Sequence, residues 1–151
     1  MEIKSLRDCP EFTEQVISWL NTEFGSPNSK EFYRGIVEHC IKGEGLPISF
    51  AAVENETLLG TVGVWRADLM SRQELYPWLS ALVVAPQYRG TGIGKSLQQY
   101  AVDFCRVRGY KELFLYTDLS GYYEKSGWNQ IGIGYEYSGN AVKLYSRRID
   151  A

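Results

Sequence analysis

The chain has little histidine and little cysteine. His39 is the only histidine among 151 residues, which leaves almost no material for a Ser-His-Asp triad or a histidine metal site. We therefore predict no metal centre. The three cysteines are odd in number and widely spaced, so they do not form a disulfide framework. We expect Cys9, Cys40 and Cys105 to be reduced core thiols, as in a cytoplasmic protein.

Long apolar runs and a strong net charge are also missing. No run approaches the roughly 20 apolar residues that a membrane-spanning helix needs, and the charged start of the chain is unlike a secretory leader. The formal net charge of −2 gives no electrostatic case for nucleic acid or an anionic membrane as a partner. We predict one domain over residues 1–151, located in the cytoplasm, with neither of these partners.

The other parts of the chain are organised around one stretch, residues 77–97. Its first part, Trp78–Val84, is a nearly continuous apolar run stopped by Pro86, which predicts an interior strand covered on both faces. The glycine-rich turn that follows opens into a helix, and glycine leaves no Cβ to block a ligand. Backbone N–H groups there converge at the positive end of the helix dipole. This arrangement predicts a diphosphate site at the tip of the strand.

The spacing of the glycines decides which phosphate ligand this loop fits. A Walker loop needs G-x-x-x-x-G-K-[ST], and Lys95-Ser96 lacks a glycine at the required distance. The Rossmann fingerprint needs G-x-G-x-x-G, whereas the glycines here are Gly90, Gly92 and Gly94. The glycines of a strand–turn–helix corner also serve tight packing. That purpose would not require charged residues at the mouth of the loop, so we favour the binding interpretation.

Apolar periodicity and turn residues predict the remaining elements. The other predicted strands cover residues 2–6, 47–53, 58–65, 113–116, 129–137 and 141–149. The predicted helices begin near residues 10, 28, 93 and 122 and end near residues 25, 43, 109 and 125. Residues 67–76 show no clean periodicity and are predicted to be a connection. The order of these elements predicts a mixed sheet with helices on both faces, and a parallel strand–helix–strand crossover at its centre.

Two motifs resemble those of the GNAT family of N-acetyltransferases. Arg89–Gly94, with the V-x-P-x-Y-R-G lead-in at Val84–Gly90, resembles the family's R-x-x-G-x-G acetyl-CoA pyrophosphate loop. Gly121–Trp128 resembles its FY-x-x-x-GF segment, and a predicted strand separates the two motifs. The resemblance extends over essentially the whole chain. It implies an α/β GNAT fold, with a mixed sheet of about seven strands, about four helices and central parallel strands splayed at the acetyl-CoA site.

The resemblance also implies which residues bind acetyl-CoA and catalyse transfer. The residues that it places at acetyl-CoA are Leu82, Val83, Val84, Arg89, Gly90, Thr91, Gly92, Ile93, Gly94, Lys95 and Ser96. A backbone N–H at Leu82 or Val83 would stabilise the oxyanion. Tyr123 would protonate the departing thiolate, since a phenol with an ordinary pKa near 10 keeps its proton at neutral pH. Tyr122 is predicted to be a packing partner.

The group that removes the proton from the acceptor amine is left open by the sequence. Some relatives carry a glutamate on the central strand, but Pro77–Ser80 contains no acid. Glu74 and Asp68, acting directly or through water, are the candidates, although a solvated loop acid is the favoured role for each. Many relatives also carry an asparagine where this chain has Tyr116, so a conventional cofactor contact is not expected there.

The function implied first is acetyl-CoA-dependent transfer of an acetyl group to a primary amine of a small molecule. A protein N-terminus or lysine as the acceptor stays an alternative, because the resemblance does not identify the acceptor. A non-catalytic acyl-CoA-binding sensor is a second alternative, against which the intact Tyr123 argues only mildly. The resemblance also implies a homodimer formed through the last strands or a sheet edge.

Overall fold

Across residues 1–149, the part of the chain that it describes, the computed structural model contains seven strands and three α-helices. The strands are β1 (Glu2–Ser5), β2 (Ile48–Glu54), β3 (Thr57–Trp65), β4 (Trp78–Val84), β5 (Glu112–Thr117), β6 (Asn129–Tyr135) and β7 (Ala141–Arg148). The helices are α1 (Thr13–Phe24), α2 (Lys30–Lys42) and α3 (Ile93–Val107). The strand predicted over residues 78–84 is confirmed with the same bounds.

The prediction of a fourth helix near residues 122–125 is wrong. Only a single 3-10 turn, Glu124–Ser126, forms there. Gly127 follows it with φ +88°, a left-handed conformation that ends the turn before a helix can develop. The first helix also begins later than predicted, since Pro10–Phe12 is a 3-10 turn that precedes α1.

All strands lie in one mixed sheet of order β1-β2-β3-β4-β5-β7-β6. The pair β4–β5 is parallel, and the other neighbours are antiparallel. The chain connects these parallel strands through α3, because parallel neighbours need a long crossover. The parallel pair at the centre of the sheet and the mixed sheet as a whole are therefore confirmed.

Helices cover both faces of the sheet. On one face, α3 packs through Leu97, Ala101 and Cys105 into a core that also contains Trp128. On the other face, α1 and α2 pack against a second buried cluster. All three cysteines are buried and free, which confirms their prediction as core thiols. Alternation along each strand therefore assigns every side chain of β4 and β5 either to the α3 face or to the α1/α2 face.

The connection between β3 and β4 folds onto the α1/α2 face. Leu69 is buried there with Trp78, Phe114 and Leu144. The Ser71 hydroxyl donates a hydrogen bond to the backbone oxygen of Tyr135, at 2.5 Å. The connection is thus fixed against the second half of the sheet.

No helix within residues 1–149 combines the length and the apolar character that crossing a membrane requires. The cytoplasmic location stays a prediction.

Candidate active site

A gap opens in the centre of the sheet between β4 and β5. The two strands pair only at Trp78 and Phe114, where the Phe114 N–H donates to the Pro77 oxygen at 3.1 Å. Beyond this point β5 gives no ladder partner to residues 79–84, so a ligand can pair with backbone groups on that side. The expected splay of the parallel strands is confirmed.

A β-bulge lies on β4 beside the gap. Ser80 pairs with Gly63 and Val83 pairs with Thr61, so two residues, Ala81 and Leu82, lie opposite one residue of β3. Ala81 has φ +52°, which is unusual for a residue with a Cβ. A bulge bends its strand and changes the direction of the groups that follow. The segment that carries the predicted oxyanion donor is therefore irregular backbone at the edge of the gap.

The glycine-rich loop at the end of β4 is open toward the solvent. Gly90 and Gly92 have φ +81° and +90°, and a Cβ built on either would meet no atom within 4 Å. Gly92 is also the N-cap of α3, which has no side-chain cap. The first bond of the helix runs from the Ser96 N–H to the Gly92 oxygen at 3.0 Å. The N–H groups before it have no partner within the helix, so they are available to an anion.

Arg89 braces this loop. Its Nε donates to the Val84 oxygen at 3.1 Å, and one Nη lies 3.7 Å from the Glu23 carboxylate of α1. A cavity of about 360 Å³ lies beside it, between α1 and the end of β4. Lys95 is exposed on the first turn of α3. The two cations flank the loop as predicted, although Arg89 also holds the loop in place.

The second motif lies on the α3 face and places Tyr123 beside the core. The Tyr123 ring is perpendicular to that of Tyr122, with centroids 4.8 Å apart, and it also contacts Trp128 and Tyr145. The Trp128 indole N–H donates to Gln98 of α3 at 3.2 Å. Because Trp128 is anchored in this way, the aromatic cluster fixes the position of the Tyr123 ring.

The two motifs also contact each other. A Cβ on Gly94 would lie 3.0 Å from the Tyr122 hydroxyl and 3.6 Å from a methyl group of Val84. Burial, with a smaller contribution from Tyr122, raises the pKa of Tyr123 well above its ordinary value. The Tyr123 phenol therefore keeps its proton at neutral pH, as an acid requires.

The two candidate bases have different environments. Glu74 is exposed and lies 2.8 Å from Arg72, and the hydrogen bond between them lowers the pKa of Glu74. It is the solvated loop acid that the sequence favours. Asp68 is partly buried. Burial, with a contribution from Glu136, raises its pKa to about 7, whereas the Ser80 hydroxyl lowers it.

Comparison with protein families shows which family the chain belongs to. The family model described as "Acetyltransferase (GNAT) family" matches residues 13–128. The chain belongs to the GNAT family. As a GNAT enzyme it is an acyltransferase, an N-acetyltransferase that uses acetyl-CoA.

Similar proteins include several acetyltransferases. N-alpha-acetyltransferase 30 of Schizosaccharomyces pombe is 24% identical over 140 residues, which cover 89% of each chain. An aminoglycoside 6'-acetyltransferase type Ii is 25% identical, with a TM-score of 0.77 and coverage of 100% of this chain and 99% of that chain. An aminoglycoside 6'-N-acetyltransferase in complex with coenzyme A has the same TM-score at 21% identity, with coverage of 100% and 98%.

The site of this GNAT enzyme fits acetyl-CoA. The open space above Gly90 and Gly92 is where a Cβ would otherwise lie, and the uncapped N-terminus of α3 directs N–H groups into it. The loop is continuous with the free edge of β4 along residues 82–84. Diphosphate and an extended pantetheine arm match these two surfaces in charge and in shape.

The structure also brings together groups to which the sequence assigns no role in the site. Ser80, Glu136, Tyr116 and Tyr33 lie near Asp68. A polar residue inside an apolar strand was the one available signal, and it applies to Ser80 alone. Within residues 1–149 no group of three or more metal-ligating side chains is present.

Proposed function

We propose that this GNAT enzyme acetylates a primary amine of a small molecule by direct attack on the thioester, with Tyr123 as general acid. The observation that carries the proposal is the gap between β4 and β5. The gap joins the α1/α2 face, where Asp68 lies, to the α3 face, where Tyr123 lies. A thioester in the gap would therefore have an acid on one side and space for an amine on the other.

The residues that would hold acetyl-CoA are those of β4 and the loop. Val84 would pair with the pantetheine arm, and the N–H groups of residues 90–95 would bind the diphosphate. The cofactor supplies an acetyl group activated as a thioester. A backbone N–H at Leu82 or Val83 would face the oxygen that gains charge during attack, a contact worth roughly a hundred- to a thousandfold in rate.

Tyr123 is suited to protonate the departing sulfur. Its pKa is raised by burial, so the phenol is fully protonated when the thiolate forms. The rigid aromatic surroundings restrict the ring to one orientation, which keeps the donor in position without further ordering.

A compact acceptor agrees with the way the α1/α2 face is covered. The connection that carries Asp68 is buried at Leu69 and bonded to β6 through Ser71. This cover limits the room beside the gap, which favours a small molecule over a folded protein surface. The structural neighbours named for aminoglycosides agree with a small acceptor. The similarity to N-alpha-acetyltransferase 30 supports the alternative, in which the acceptor is a protein N-terminus.

One experiment separates these functions. Release of CoA thiol is measured with acetyl-CoA and a panel of small primary amines, and in parallel with peptides that carry a free N-terminus or a lysine. We expect turnover with at least one small amine. Turnover with peptides alone would identify the protein acetyltransferase, and acetyl-CoA binding without any turnover would identify the sensor. Absence of acetyl-CoA binding would contradict the account as a whole.

We further propose a homodimer formed along the edge strand β6. Ile131 and Ile133 are each 47% exposed there, whereas the opposite edge strand, β1, carries Glu2 and Lys4. Exposed apolar edge strands favour pairing with another chain. We expect size-exclusion chromatography with light scattering to give a dimer, and Ile133→Lys to give a folded monomer. A wild-type chain that is monomeric at high concentration would contradict the proposal.

A further inference from the structure

Four elements and one connection bring polar groups together on the α1/α2 face of the gap. Asp68 comes from the connection before β4, Ser80 from β4 itself, and Tyr116 from β5. Tyr33 comes from α2, and Glu136 follows β6 directly. None of the elements packed here contributes a lysine or arginine that pairs with either acid, since the ion pairs within residues 1–149 do not include Asp68 or Glu136.

Electrostatic effects connect the members of this group. Burial and then the two carboxylates raise the pKa of Tyr33 and that of Tyr116. Glu136 also contributes to the raised pKa of Asp68, after burial. Two acids therefore share a partly desolvated space with two phenols. Such a space favours a ligand that brings positive charge.

A second observation is the buried hydroxyl of Ser80. The residue is 3% exposed, and its Oγ has no partner at full hydrogen-bonding geometry among the described residues. The hydroxyl acts on the Asp68 carboxyl as a hydrogen-bond donor and so lowers the pKa of Asp68. Ser80 lies on the same side of β4 as Trp78, whose ring contacts Tyr116. Buried polar atoms almost always have a well-formed hydrogen bond, and a ligand with N–H donors beside Asp68 would give one to the Ser80 oxygen.

The backbone of Glu136 is held in place, although its side chain forms no ion pair with another residue in 1–149. Its N–H donates to the Asn140 oxygen, and its oxygen accepts from the Gly139 N–H, both at 2.9 Å. The preceding residue, Tyr135, accepts the hydrogen bond from Ser71. The backbone that carries Glu136 is thus joined, through Tyr135, to the connection that carries Asp68.

We propose that Asp68, Ser80 and Glu136 bind an acceptor with two positively charged nitrogens, such as a short diamine or a polyamine. The nitrogen at Asp68 and Ser80 is the one acetylated, and the second ammonium pairs with Glu136. This inference rests on the proposed function, because it assigns an acceptor to the same gap. The rings of Tyr33 and Tyr116 add aromatic surface, which stabilises organic cations.

The proton balance gives Asp68 a role in the reaction. The ammonium loses one proton before attack and a second after the C–N bond forms, while the C–S bond breaks. Asp68 accepts the first proton from the nitrogen on the α1/α2 face, the second leaves to solvent, and Tyr123 donates its own proton to the sulfur on the α3 face. When both side chains have exchanged with solvent, the products are the acetamide, CoA thiol and one released proton.

A matched pair of amines tests the inference. In 1-aminopentane a methyl group replaces the second ammonium of 1,4-diaminobutane. We expect kcat/KM for the diamine to exceed that for the monoamine about tenfold or more, since Glu136 is half-buried and its pair with the ligand is only partly screened. Glu136→Gln should reduce this preference to about one. Glu56→Gln, on the exposed β2–β3 turn, is the matched control and should keep the wild-type preference.

Asp68→Asn tests the catalytic part of the inference. We expect turnover of both amines to fall about a hundredfold or more. The melting temperature at pH 8 should stay equal or rise. The raised pKa of Asp68 means that the folded protein holds its proton more tightly than the unfolded chain. Burying the ionised carboxyl therefore opposes folding as the pH rises through about 7. A merely structural role would lower the melting temperature together with the activity.

The outcomes separate this inference from the proposed function. Turnover of amines without preference for the diamine, or a preference that survives in Glu136→Gln, would overturn the inference and leave the acetyltransferase function intact. If acetyl-CoA binds but no amine is acetylated, calorimetry of the two amines against the CoA-saturated protein measures their affinities and shows whether the diamine binds more tightly. Equal affinities there would likewise overturn the inference. Failure to bind acetyl-CoA would remove the proposed function itself.

Discussion

Replacing Tyr123 with phenylalanine should lower kcat by about a hundredfold or more, because general acid catalysis contributes at least that much. The ring and its packing against Trp128 and Tyr145 remain, so the fold and the affinity for acetyl-CoA should not change. Steady-state kinetics with an amine found in the panel gives kcat, and calorimetry gives the affinity for acetyl-CoA.

The control for Tyr123→Phe is the same chemical change away from the gap. Tyr100 lies on α3, is 38% exposed, and packs against Phe50. Tyr100→Phe should keep the wild-type kcat. If Tyr123→Phe retains full turnover, the phenol is not the acid, and the proton on the sulfur must come from elsewhere.

Replacing Gly92 with aspartate should abolish measurable acetyl-CoA binding. Gly92 has φ +90° and open space above it at the N-terminus of α3. A side chain there would extend into the space assigned to the diphosphate. Its negative charge would also repel the two phosphates beside the N–H groups proposed to bind them. Calorimetry with acetyl-CoA should show no heat at concentrations that saturate the wild-type protein.

Two further variants separate the causes of that loss. Gly92→Asn has the same size without the charge, so it should weaken binding less than Gly92→Asp. Gly109→Asp places the same residue at a glycine of φ +87°, also in open space, at the other end of α3. It should bind acetyl-CoA as the wild type does. Wild-type affinity in Gly92→Asp would show that the loop does not hold the diphosphate.

The sequence was sufficient to predict the centre of the fold and the loop. The apolar run 78–84 and the glycines after it are local features, and β4 and the N-cap of α3 lie where these features predict. The gap between β4 and β5 followed from the resemblance rather than from any residue. Nothing local reveals that the two strands pair only once.

Other features depend on contacts between distant residues, which local patterns do not contain. The sequence favours a solvated role for Asp68, but Leu69 carries the connection onto the second half of the sheet. The bond that fixes it joins residues 64 positions apart. The same hydrogen bond brings Glu136, the residue after Tyr135, close to the connection that carries Asp68. The bulge at Ala81 requires a positive φ, which an alanine in the sequence does not predict.

A crystal structure of the protein with CoA bound would show at once whether the loop and the gap hold the cofactor. We expect the diphosphate on the N–H groups of residues 90–95, the pantetheine along residues 82–84, and the sulfur in the gap within hydrogen-bond reach of the Tyr123 hydroxyl. A diphosphate bound away from the loop, or a sulfur out of reach of Tyr123 with the gap empty, would contradict it.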